Sequence, residues 1–125
     1  MYDPAFNLSN AVVDRLIAGD DADLVTDVGV LITGQNLTRG AVLGKITASG
    51  KLNLSLSAAS DGSQTPFAIL ARDTDATSAD NDSTPIYIAG SFNQDSLTIG
   101  TAHTAASIKD GLRALGIYLK SPVSV

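Results

Sequence analysis

Cysteine and tryptophan are absent from the 125 residues, and histidine occurs once. Without cysteine no disulfide framework can form, and structural zinc of the usual kind is excluded. The fold therefore does not depend on an oxidising compartment, which fits synthesis and assembly in a reducing cytoplasm. The lone imidazole, His103, stands beside Thr101 and Thr104. A general base or metal centre would have to be built on this one ring, and a surface or helix-cap neighbour is the simpler reading. Clusters of positive charge are also missing. Eight Lys and Arg face 13 Asp and Glu, for a net charge of -5, spread along the chain. Phosphate backbones are held by basic patches, so no nucleic-acid partner is expected. No apolar run approaches the ~18 residues of a membrane span, so no membrane partner is expected either. The first ten residues, MYDPAFNLSN, lack the basic start and apolar stretch of a signal peptide.

Catalytic signatures are missing as well. There is no phosphate-cradling G-x-x-x-x-G-K-[ST] or G-x-G-x-x-G, and no G-x-S-x-G elbow. No nucleophile can be paired with a base, so the expectation is a protein that is not an enzyme and carries no cofactor.

What remains is a chain of one-domain length with 44% hydrophobic residues, enough for a packed core. From Leu24 the pattern is that of β structure. Val28 to Thr33 and Val42 to Thr47 are apolar, partly β-branched runs bounded by glycines. Leu52, Leu54 and Leu56 alternate with polar residues, the period of a half-buried strand. Phe67 to Ala71, Ile86 to Ala89 and Ile117 to Leu119 are further short strands. Brief strands with turns every 8 to 12 residues suggest a compact β fold. One helix is expected near the C-terminus. Ile108, Leu112 and Leu115 share a helical face, Thr104 stands at the N-cap and Gly116 at the C′ position. Gly40, Gly44, Gly62, Gly90, Gly100 and Gly116 fall at element edges, where glycine ordinarily supplies backbone angles closed to other residues.

The acidic stretch with Asp73, Asp75, Asp80 and Asp82 raises the question of a metal. Aligned from Asp73, an EF-hand loop would have Asp75 at position 3, but Thr77 at position 5, Ser78 where Gly belongs and Thr84 at position 12. The match ends after two ligands. The expectation is a solvated connector whose Asp and Asn side chains bond their own backbone, with no metal.

Residues 1–23 differ from the rest. Tyr2, Pro4, Phe6 and Leu8 are spaced apolar anchors in a polar segment, and Val12, Val13, Leu16 and Ile17 allow a short helix ending near Gly19. The segment reads as an N-terminal arm on a β-rich domain of residues 24–125.

Three segments in order resemble the lambda-type head decoration proteins of tailed bacteriophages. They are RGAVLGKI from Arg39, DGSQTPFAIL from Asp61 followed by DTDAT from Asp73, and IYIAGSFNQDSL from Ile86, with LRALGIYL from Leu112 closing the pattern. Each is weak alone; their order, spacing and the chain length make the combination specific. The resemblance implies a mainly β fold of the β-clip type with one C-terminal α-helix. It also implies a homotrimer on the outer surface of the phage head at local threefold sites, holding the major capsid protein lattice against internal DNA pressure. In that role Tyr2, Pro4, Phe6 and Leu8 would be the capsid-binding residues, by adding an extended segment to a neighbouring sheet edge. The alternatives are another virion module, of tail or fibre, and a trimeric β-clip enzyme of the dUTPase kind, for which no phosphate-binding motifs can be assembled.

Overall fold

The computed structural model describes residues 16–18 and 24–121. They form strands β1 (Val25–Leu31), β2 (Gln35–Leu37), β3 (Val42–Lys45), β4 (Leu52–Leu54), β5 (Pro66–Leu70), β6 (Thr74–Ala76), β7 (Asn81–Asn93) and β8 (Ile117–Lys120), with helix α1 (Ala105–Ala114) before β8. The described residues are therefore mainly β, with one α-helix near the C-terminus. Six strands form one sheet in the order β1-β4-β3-β5-β7-β8, and β1 also pairs antiparallel with β7. That extra pairing closes β1, β4, β3, β5 and β7 into a small barrel-like ring. Strand β8 hangs outside it, parallel to the end of β7. Strands β2 and β6 make a separate antiparallel pair.

Side chains that alternate along a strand point to opposite faces, and here both faces of the central strands are covered. Leu43, Ala68, Leu70 and Ile86 pack with Leu31 and Leu52 in one cluster. Their sequence neighbours Val42, Ile69 and Tyr87 pack in a second, with Phe92, Ile108, Leu112, Ile117 and Leu119. Strands buried on both faces lose the apolar–polar alternation, which is why β3 and β5 read as continuous apolar runs.

Strand β7 pairs with three strands, β5 through Ile86 and Tyr87 and, along its length, β1 and then β8. Its first part pairs with β1 from Val25↔Ala89 to Leu31↔Asn81; Gly90–Asn93 then pairs with β8. The change falls at Gly90, whose φ of 140° is a conformation side chains rarely adopt. The Ile86 to Ala89 expected from sequence is thus the middle of a strand of 13 residues.

Helix α1 begins in a capping box. The Ser107 amide donates to the Thr104 hydroxyl oxygen, and the Thr104 amide donates to the Ser107 hydroxyl oxygen. Gly116, at φ 91°, takes the chain out. Ile108 and Leu112 are buried, but Leu115 is 48% exposed. It is the C-cap, its amide turned back to the Leu112 and Arg113 carbonyls, so the third position of the expected face lies past the end of the helix. Leu112→Ala is expected to cost about 2–5 kcal/mol, the usual range for a buried leucine, read from denaturant unfolding; a cost near zero would mean the helix does not pack on this face.

Two further expectations are corrected and one is extended. Leu56 does not continue the Leu52–Leu54 strand: it is 40% exposed, because the chain turns at Ser57–Ala58, where the Ala59 amide donates to the Leu56 carbonyl. The run from Val28 does form a strand, β1, but it starts earlier, at Val25, and Val28 itself is 63% exposed. Leu16 and Ile17 do not close a helical turn, since Ile17 bridges Phe92 in extended form; Val12 and Val13 lie outside the described residues. A free β edge outweighs local helical spacing there.

Candidate functional site

The anchors Tyr2, Pro4, Phe6 and Leu8 lie outside the described residues. The point from which that segment leaves the domain is described. Leu16 is 3% exposed, in the cluster with Phe92 and Leu112. Its carbonyl accepts from the Asn93 amide at 2.8 Å, and the Ala18 amide donates to the Ser91 carbonyl at 2.9 Å. Residues 16–18 thus lie antiparallel on one edge of the β7 end while β8 occupies the other. The 15 residues before Leu16 therefore start from a fixed root on the domain, and a chain of that length reaches at most about 50 Å.

The acidic stretch is stapled to the domain rather than being only a solvated connector. Thr74–Ala76 pairs with β2. Asp73 accepts from the Arg39 amide at 2.8 Å. Asp80 accepts from the Thr33 amide at 2.8 Å and pairs with Lys51 at 2.6 Å. Asp75 accepts from both the amide and the hydroxyl of Thr77. Among the described residues no three acidic, histidine or cysteine side chains converge as a metal would require. What the aspartates do is replace missing backbone partners, which is ordinary Asx chemistry extended over long sequence separations.

At Asp80, Asp75 and Asp61 hydrogen bonding favours the charged carboxylate. Asp80 is held below the ordinary aspartate value by the bond to Lys51 and then by the Thr33 amide. Asp75 is lowered by the Thr77 hydroxyl and amide, and Asp61 by the Ser63 hydroxyl and amide. A carboxylate lowered in the folded state adds stability that is complete above its unfolded value and is lost as pH falls through its folded value. Thermal midpoints are therefore expected to be level near neutrality and to decline once pH drops below about 4. Asp80→Asn should flatten part of that decline. A midpoint that fell instead between pH 8 and 6 would contradict this assignment.

His103 has a structural task. Its Nε2 lies 3.0 Å from the Gln64 carbonyl oxygen and 3.2 Å from Ser55 Oγ. A carbonyl only accepts, so Nε2 carries the proton. Ser55 Oγ spends its own proton on the Ser63 carbonyl at 2.7 Å. The pair is not a nucleophile with its base, which would need the hydroxyl to donate to the ring. It is a clasp that holds the 55–65 loop to the domain, joined by Asp61, which accepts from the Ser63 amide at 3.0 Å. Sequence reasoning missed it, and no local signal could have shown it: Ser55 and His103 are 48 residues apart.

The described residues thus offer a firmly built domain, a chain segment rooted at one end of β7 and no assembled catalytic group. The family model for bacteriophage lambda head decoration protein D matches residues 6–118. A search of curated proteins finds no match.

Proposed function

The chain belongs to the bacteriophage lambda head decoration protein D family, a family of structural phage capsid proteins and not of enzymes, and from that membership we propose that it binds the outside of the expanded capsid as trimers at local threefold sites. There it clamps neighbouring major capsid protein subunits against the pressure of packaged DNA. The association with the phage head follows from the family. The match over residues 6–118 is the observation that carries the reading. It also reaches into the segment before Leu16, where the proposed anchors Phe6 and Leu8 lie.

Physical features agree with this role. A decoration protein holds on through many weak contacts, and three chains acting together bind with an avidity beyond that of one. A net charge of -5 limits adhesion to DNA and anionic surfaces. The rooted N-terminal segment suits strand addition to a capsid sheet edge, in which backbone bonds give affinity and side-chain pockets give specificity. The test is co-sedimentation with undecorated expanded shells, followed by image reconstruction. Density in groups of three at local threefold positions is expected. Absence of binding, or single copies away from those axes, would overturn the reading.

A further inference from the structure

Two surface features of opposite charge stand at opposite ends of β7. At its start Asp75, Asp80 and Asp82 line one open concavity. At its far end Lys109 and Arg113 of α1, with Tyr118 and Lys120 of β8, line a groove of about 390 Å³ together with Ser91 and Leu119. In an acidic chain with eight Lys and Arg in all, three in one groove is a marked concentration. Asp110 offsets part of it through its exposed pair with Arg113 at 3.0 Å, leaving three cations against one carboxylate. At the acidic end Lys51 offsets Asp80, but among the described residues no Lys or Arg pairs with Asp75 or Asp82. The groove is also partly apolar, with Tyr118 46% exposed.

From Asn81 to Ser91 is ten residues of β7, roughly 30 Å at strand rise. Among the described residues no ion pair joins the two features within one molecule. Between copies they can meet, and in the threefold ring proposed above every contact joins two different patches head-to-tail. We infer that the contact between copies seats the Asp75–Asp82 loop of one chain against the α1–β8 groove of the next. The contact rests on the trimeric reading above and gives it a direction.

Because the chain has no cysteine, disulfide trapping tests this without background. Asp82→Cys and Arg113→Cys, both at exposed positions, are made separately and together, and oxidised both free and bound to expanded shells. Mixing the two single variants should yield chains joined 82 to 113 in preference to 82–82 or 113–113 pairs, and the double variant should give a covalent species that stops at three chains. In parallel, Lys109→Glu with Arg113→Glu should weaken assembly by about tenfold or more. Adding Asp75→Lys and Asp82→Lys to the same chain should restore it. Trimers seen by sedimentation or reconstruction without the 82–113 link, or with like-to-like links, would overturn the interface while leaving the trimer standing. Single chains both in solution and on shells would remove the trimeric reading and the contact with it.

Discussion

Gly44→Ala is expected to cost about 3 kcal/mol or more of folding stability, at the upper end of what overpacking does, against a total of about 5–15 kcal/mol for a domain. Gly44 lies in β3, and a Cβ there would come within 1.9 Å of the Ser63 carbonyl oxygen and 2.6 Å of its carbonyl carbon. The obstacle is backbone, so no rotamer change relieves it. Nor can the loop retreat. Ser63 is held through its carbonyl by Ser55, Asp61 holds its amide, and the Thr47 amide donates to the Asp61 carbonyl at 2.9 Å. Gly100 also meets this loop, with a Cβ position 1.9 Å from the Ser55 carbonyl oxygen. Gly111→Ala is the matched control: no described atom lies within 4 Å of its Cβ position, and alanine there should gain up to about 1 kcal/mol in helix propensity. Equilibrium unfolding of the two variants should move in opposite directions. A loss under 1 kcal/mol for Gly44→Ala would show that the loop yields easily.

The glycines also show what a sequence can reveal. Six were read as sources of unusual backbone angles. Gly40, Gly62, Gly90 and Gly116 have positive φ, as that reading requires. Gly44 and Gly100 do not; they are needed because another backbone passes through the space of a side chain. Both demands leave the same letter in the sequence, and only the fold separates them. Helix α1 was legible for a local reason: its cap residues, Thr104 and Gly116, act within one turn. Strands β3 and β5 were legible because burial on both faces makes their runs apolar. The start of β7 was hidden, since Asn81, Asp82 and Ser83 look like loop residues and become strand only by pairing with β1, about 50 residues earlier in the chain. The β2–β6 pair and the extended Leu16–Ala18 were hidden for the same reason. The resemblance to decoration proteins was legible because it rests on the order of several short motifs, none of which needs the fold to be seen.

Removing residues 1–15 is expected to leave a folded protein that no longer stays on capsid shells. The cut falls before Leu16, so the core cluster and the bonds to Asn93 and Ser91 are retained. The thermal midpoint should stay within a few degrees of the full chain, a shift worth about 1 kcal/mol or less. Binding should suffer far more. Tyr2, Pro4, Phe6 and Leu8 go together with any strand pairing they make, and in a trimer three attachments are lost at once. Avidity that can exceed a single contact by ~100-fold would be lost with them. A cut before Leu24 would not give the same answer. It also removes Leu16, 3% exposed in the core, and Ile17 from its bridge to Phe92, so about 2–5 kcal/mol of stability should go as well. Comparing the two deletions by unfolding and by co-sedimentation with expanded shells therefore separates attachment from folding. If the chain lacking residues 1–15 binds shells as tightly as the full chain, the arm is not the attachment device, and the contact must be made by the face of the β domain itself.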